Sequence, residues 1–347
     1  MDVLTLPQSD PRERGRAHGE HFRDRIGEIA RIRLELALSQ GAFRSEPHVL
    51  EVAERHLPVL AGFDEALHAE LLGIAEGAGL DAARVVVLNH YTDLKDVQDE
   101  ECSSVATSTP DGLLLGQTWD MHGSVEPYVC MLELPGEGWV FTITGCLALA
   151  GMNDAGLGVC INNLKSHDAR VGVVWPALVR RMLREGNAEG ALHVLMTAPM
   201  SSGHHYLFGD ADRVYGVETS GERKEVVLDR RVDTGSFDYV HTNHCLSDEI
   251  GAVSWVSEWS TSYARYAWLQ ASVEDRTLES AEDLWARLGS HDGYPQSVCT
   301  HLANEQNPHA MKTCGAVVMR PRQRELWAHH GCVHDVEPTV YRLGEAP

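Results

Sequence analysis

The chain has 347 residues, 43% of them hydrophobic and 23% charged, with a net charge of -22; that balance excludes a disordered chain and supplies a sizeable core. At about 150 residues per domain, the length leaves two domains or one large α/β or α+β unit. The acidic excess argues against a nucleic-acid or anionic-membrane binder, because both need a positive face.

The first hundred residues read as helical. Phe22, Ile26, Ile29, Ile32, Leu34 and Leu36 recur at helical spacing within 14–40, and Gly41 follows as a stop. A second helix is predicted over 57–78, ending at Gly77-Ala78-Gly79, and a third over 82–91. The run from Asp96 to Glu101 carries four carboxylates and reads as a solvated loop.

At Cys102 the texture changes to strands. Val105-Ala106-Thr107 and the run from Leu113 to Trp119 flank Pro110-Asp111-Gly112, a hairpin turn. Strands over 129–134 and 139–144 flank a second turn, Pro135-Gly136-Glu137-Gly138, and another strand covers 158–162. Helices return near 175–187 and 189–198, followed by a hairpin over 206–218. Helices near 262–272 and 280–288 precede late strands at 314–319 and 324–328. Strands in runs and helices in runs indicate α+β.

Several chemistries are excluded by missing motifs: there is no GxxxxGK[ST], HExxH, GxSxG or GxGxxG. The eight cysteines, at 102, 130, 146, 160, 245, 299, 314 and 332, include no CxxC pair. They are too sparse for a disulfide scaffold and imply a reducing, cytoplasmic setting. The first residues lack the pattern of a signal peptide, and the longest apolar stretch, around 139–152, is too short to span a bilayer. The cluster His329-His330-Gly331-Cys332-Val333-His334 matches no familiar zinc spacing, so no metal and no cofactor are expected.

A cysteine opening a strand behind an acidic loop has one special use. Cleavage between Glu101 and Cys102 would give Cys102 a free α-amine, with a reference pKa of about 7.7–8.0. That amine could take the thiol proton, placing nucleophile and base on one residue.

Cys102-Ser103-Ser104 followed by Gly116-Gln117-Thr118-Trp119-Asp120 resembles the nucleophile hairpin of the isopenicillin N acyltransferase and carcinine hydrolase family of cysteine N-terminal-nucleophile hydrolases. More distantly it is similar to the choloylglycine hydrolases. The resemblance extends upstream through Arg14-Gly15-Arg16-Ala17-His18-Gly19 and the run from Gly73 to Gly79. Downstream it runs through Gly151 to Leu157, Thr242-Asn243-His244, Ser262 to Tyr266, Val298-Cys299-Thr300-His301 and Thr313 to Met319.

The resemblance implies a four-layer αββα fold, self-cleavage before Cys102 and an acyl-thioester on its sulfur. Residues 1–101 and 102–347 would then be two fragments of one co-folded unit. Both are acidic, so an apolar core must hold them together. Cys102 is the implied nucleophile, and Asp120 matches the aspartate that holds its amine and thiol. Asn243 matches the oxyanion donor, a contribution typically worth about 3–4 kcal/mol. Arg265 matches a cation that would favour thiolate. Asn162 and Asn163 both align near a further polar position. The chain departs from the family at Glu101, where the acyltransferase has glycine, and at Gln117, where choloylglycine hydrolases carry arginine. No arginine stands at Ala310-Met311-Lys312, where the acyltransferase has one.

Two activities share this first half-reaction: hydrolysis of a small-molecule amide, and acyl transfer from an amide or CoA thioester to an amine. The implied partners are those small molecules and the chain's own second fragment, with neither nucleic acid nor membrane. A third reading is an unprocessed, non-enzymatic binding domain.

Overall fold

Asp10 accepts a hydrogen bond from the Arg12 N–H (3.0 Å) ahead of Pro11, a proline-primed N-cap. It starts α1 (Pro11–His21), which a break at Phe22 separates from α2 (Arg23–Ser39). The computed structural model describes residues 1–39, 41–94, 101–275 and 278–344. The expected single helix over 14–40 is therefore two, because apolar spacing continues through the break. The 57–78 helix is likewise divided, into α4 (His56–Phe63) and α5 (Glu65–Ala78), behind α3 (Glu46–Glu54). Asp64 makes that division by leaving helical geometry and capping Leu67 N–H at 2.8 Å. Helix α6 (Ala82–His90) matches expectation. Residues 96–100 of the acidic run lie outside the described residues.

Strands begin with β1 (Asp2–Thr5) and resume with β2 (Glu101–Thr109), β3 (Gly112–His122), β4 (Val129–Leu134), β5 (Gly138–Ile143), β6 (Ala150–Asn153) and β7 (Gly158–Ser166). Helices α7 (Trp175–Met182) and α8 (Ala188–Thr197) follow. Next come β8 (Gly203–Gly209), β9 (Arg213–Thr219), β10 (Lys224–Arg231), β11 (Asp238–His241), α9 (Asp248–Gly251) and β12 (Ser254–Trp255). The chain closes with α10 (Ser262–Asp275), α11 (Ala281–Leu288), β13 (Met311–Arg320), β14 (Glu325–His330) and β15 (Thr339–Arg342).

These strands form two sheets. One runs β1-β4-β5-β6-β7-β8-β9-β10, with β12 added to β7; the other runs β11-β2-β3-β13-β14-β15. Period-two alternation decides what each face of the second sheet meets. Val105, Leu114, Ala316 and Val318 pack outward with Leu269 of α10 and Leu284, Trp285 and Leu288 of α11. Ala106, Leu113, Leu115, Val317 and Met319 face inward and join the core shared with the first sheet and the N-terminal helices. The result is the expected α+β architecture layered αββα, with Cys102 on the inward side of β2.

The glycine-rich segments that carried the upstream resemblance are packing devices. A Cβ on Gly15 would stand 2.0 Å from Glu70 O, and one on Gly73 would stand 2.1 Å from Arg12 O. Helices α1 and α5 therefore approach backbone to backbone. Glu70 lies in that seam and pairs with Arg180 of α7 (3.2 Å) and Arg14 of α1 (3.3 Å). Parallel pairing of β1 with β4 also inserts the chain's start into the first sheet.

Candidate active site

Pairing of β2 with β3 sets Cys102 opposite Trp119 and Glu101 opposite Asp120. On the other edge, β11 pairs with β2 and sets His241 opposite Ser104. Two residues beyond β11, Asn243 is therefore level with Cys102. Its backbone N–H donates to Ser262 Oγ at 2.8 Å, which ties the segment to the first turn of α10. Arg265 stands one turn further along that helix. The buried pair His241 Nε2–Glu218 Oε1 (2.8 Å), with Glu218 also accepting from Leu246 N–H (2.6 Å) and Ser247 N–H (3.0 Å), fixes the rest of this loop.

Asn243 reaches the Glu101–Cys102 peptide group itself, and Arg265 binds the residues on both sides of it. The Cys102 N–H donates to Asn243 Oδ1 at 2.8 Å. Arg265 Nη1 donates to Cys102 O at 2.7 Å and to Ser103 Oγ at 2.8 Å. Its Nη2 donates to Glu101 Oε2 at 2.7 Å and to Asn243 Oδ1 at 2.9 Å, and its Nε to Thr261 Oγ1 at 2.9 Å. Both Arg265 and Cys102 are buried. A guanidinium and an N–H facing Oδ1, and the Asn163 carbonyl accepting from Nδ2 at 2.9 Å, define the orientation of the Asn243 amide.

Glu101, the departure from the family's glycine, is accommodated by this same arginine. It is 5% exposed and accepts from Thr261 N–H at 3.0 Å as well as from the Thr261 hydroxyl. Burial alone would raise its carboxyl. The Arg265 charge and the bonds from Ser260 and Thr261 outweigh that and hold it below its ordinary range.

Asp120 lies one residue along β3 from the partner of Cys102. Its Oδ2 accepts from Thr118 Oγ1 at 3.1 Å and its Oδ1 from Thr313 Oγ1 at 2.6 Å. Burial pushes its carboxyl up to about 7, against the opposing pull of Arg265 and of these two hydroxyls. Thr313 itself accepts from Thr300 N–H at 2.9 Å. A chain of bonds thus runs from Asp120 to the 299–301 segment.

Beside Glu101 opens a cavity of about 490 Å³, walled by Leu36, Tyr91, Trp259, Thr300, His309 and Met311 among others. Thr261, Ser262, Asn163, Thr118 and Thr313 were not singled out individually from sequence. Ser262, Thr118 and Thr313 lay inside runs that carried the resemblance, and Asn163 aligned near a polar position together with Asn162, whereas Thr261 stood outside every such run. Asn162 proves distinct from Asn163: its Oδ1 accepts from Ser104 Oγ at 2.7 Å and lies 3.0 Å from His205 Nδ1. Gln117 spans the two sheets, donating to Ile161 O at 2.6 Å and accepting from Ile161 N–H at 2.9 Å.

Residues 107–331 match the family model described as acyl-coenzyme A:6-aminopenicillanic acid acyl-transferase. The chain belongs to that family. Within curated proteins it is similar to the 40 kDa form of acyl-coenzyme A:6-aminopenicillanic-acid-acyltransferase from Emericella nidulans. The two are 28% identical over 306 residues, which cover 84% of this chain and 83% of that relative. Among solved structures, a mutant of conjugated bile acid hydrolase from Clostridium perfringens covers 71% of this chain and 99% of its own at 14% identity, with a TM-score of 0.41. Penicillin V acylase from Agrobacterium tumefaciens covers 69% and 84%, at 14% identity and a TM-score of 0.37. The family model's match begins five residues beyond Cys102, so Glu101 and Cys102 lie outside it, whereas Asp120, Asn243, Thr261 and Arg265 lie within it.

Proposed function

We propose that this family member is a self-processing cysteine N-terminal-nucleophile enzyme that cleaves a small-molecule amide through an acyl-thioester on Cys102. The observation that carries the reading is that Asn243 accepts from the N–H of the Glu101–Cys102 peptide, while Arg265 holds the Cys102 carbonyl and, with Thr261, the Glu101 carboxylate. In processing, Cys102 Sγ loses its proton and attacks the Glu101 carbonyl carbon. The Glu101–Cys102 C–N bond breaks, its nitrogen takes up a proton, and residue 101 is held as a thioester. Water then hydrolyses that thioester, freeing the Glu101 carboxylate and the Cys102 thiol and amine. Asn243 Oδ1, already the acceptor for this N–H, would orient the new amine as base for the thiol.

Turnover repeats the chemistry on an external amide. The thiolate attacks the carbonyl, the amine leaves with a proton, and the acyl group remains on sulfur. Asn243 Nδ2 is the proposed donor to the developing oxyanion, and Asp120 the group that holds the Cys102 amine and thiol. The cavity beside Glu101, with its aromatic and aliphatic walls, suits an apolar acyl group. The core shared by α2, α5, α6 and both sheets would keep residues 1–101 and 102–347 together after cleavage. Among the described residues, no helix is long and apolar enough to cross a membrane.

A second reading, acyl transfer from a CoA thioester or an amide to an amine, is favoured by the family match and by the curated relative. The two differ only in what reaches the thioester. Incubation of processed enzyme with an amide and rising amine concentrations, followed by quantification of acid and new amide, separates them. Acid alone at every amine concentration excludes transfer. A chain that stays whole and turns over neither class of substrate leaves the binding-domain reading.

A further inference from the structure

Three segments remote in sequence bring imidazoles and thiols together away from the Cys102 site. His291 follows α11, Cys332 follows β14 across Gly331 (φ 81°), and His301 forms a bridge with Lys312 at the start of β13. The ligand atoms of His291, His301 and Cys332 all lie within 4.8 Å of one another. Cys332 Sγ stands 3.3 Å from His291 Nε2 and 3.5 Å from Cys299 Sγ.

These separations have the scale of a coordination shell. With Zn–S of about 2.3 Å and Zn–N of about 2.0–2.1 Å, tetrahedral ligand atoms stand about 3.4–3.8 Å apart. Imidazole and thiolate together select zinc-like ions over magnesium or calcium, which prefer oxygen. His291 and Cys332 are half-buried and His301 is exposed, so an ion can enter from solvent.

We propose that His291, His301 and Cys332 form a binding site for a zinc-class divalent ion, with the Cys299 sulfur placed to complete the tetrahedron. Thr300 lies between two of these residues, and its N–H bonds to the hydroxyl that holds Asp120. The ion would therefore brace the segment behind the candidate active site.

The test uses the full, reduced chain and Co²⁺ as probe. The expected result is one Co²⁺ per chain, with tetrahedral visible bands and a thiolate charge-transfer band. The double variant Cys299→Ser/Cys332→Ser should abolish the charge-transfer band, and His301→Ala should weaken binding at least tenfold. Cys102→Ala should leave the spectrum unchanged. If the double cysteine variant fails to fold by circular dichroism, His291→Gln serves in its place, with a tenfold loss of Co²⁺ affinity expected. The site is refuted if the wild-type chain shows no thiolate band, or if the band survives the double cysteine variant. Loss of the band in Cys102→Ala refutes it too, as does a wild-type chain that reacts as a Cys299–Cys332 disulfide and takes up no Co²⁺.

Discussion

Replacing Arg265 with alanine should cost more stability than any other single change near Cys102, and the structure allows the size to be worked out. The comparison belongs in a Cys102→Ala background, where the chain is expected to stay unprocessed. Arg265 is fully buried and donates to Cys102 O, Ser103 Oγ, Glu101 Oε2, Asn243 Oδ1 and Thr261 Oγ1. Its removal leaves the buried Glu101 carboxylate without its cation, a loss of about 3–5 kcal/mol. Glu101→Gln added to Arg265→Ala removes the stranded charge and should recover a large part of that.

The pH dependence follows from the sign of the Glu101 shift. Its folded-state pKa is depressed, so the pair's stabilisation is present above the unfolded carboxylate pKa and is lost as pH falls through the folded value. The gap between parent and Arg265→Ala should accordingly narrow in acid, where Glu101 can protonate. Urea unfolding at neutral and acidic pH reads all of this. A neutral-pH loss below about 1 kcal/mol, the value of an exposed pair, would refute the argument, and so would a double variant no better than Arg265→Ala.

Asp120 has the opposite sign. Its folded pKa is raised to about 7, so its contribution is fully present below the unfolded value and is lost as pH rises through about 7. Asp120→Asn should remove up to about 1.4 kcal/mol per pH unit of that downward slope between pH 4 and 7, measured by urea unfolding; an unchanged slope contradicts the shift. Asn243→Ala is expected to lower kcat about 10²–10³-fold in steady-state assays of processed enzyme, with a smaller change in KM. Gly73→Ala, distant from Cys102, should lower stability by at least about 1–3 kcal/mol through collision with the Arg12 carbonyl. Thermal denaturation would expose a tolerant α1–α5 seam.

Period-two patterning and the Pro110-Asp111-Gly112 turn made the Cys102 hairpin legible in the sequence, and its register set Asp120 beside the nucleophile's neighbour. Helix breaks were less legible. Apolar spacing runs on through Phe22, and only the capping aspartate at position 64 marked the division of the 57–78 helix. Strand β10 was missed because Val226, Val227 and Leu228 run consecutively between charged residues and no residue of the strand is fully buried, so the alternation of a half-buried strand is muted. Asp120, Asn243 and Arg265 came from resemblance, since no local pattern assigns a role to a hairpin aspartate or shows that a loop and a helix turn will meet Cys102. Thr261, Thr313 and Asn163 act through a hydroxyl or a backbone carbonyl whose placement depends on register between distant elements. The Glu101 departure looked like an obstacle in one dimension and is a buried ion pair with Arg265 in three.

Intact-mass measurement of freshly purified wild-type and Cys102→Ala chains tests the central claim most directly. The account predicts wild-type masses for residues 1–101 and 102–347, co-purifying, and one unbroken mass for Cys102→Ala. A wild-type chain that is fully active while still a single mass would contradict it, because Cys102 would then have no free amine to act as its base.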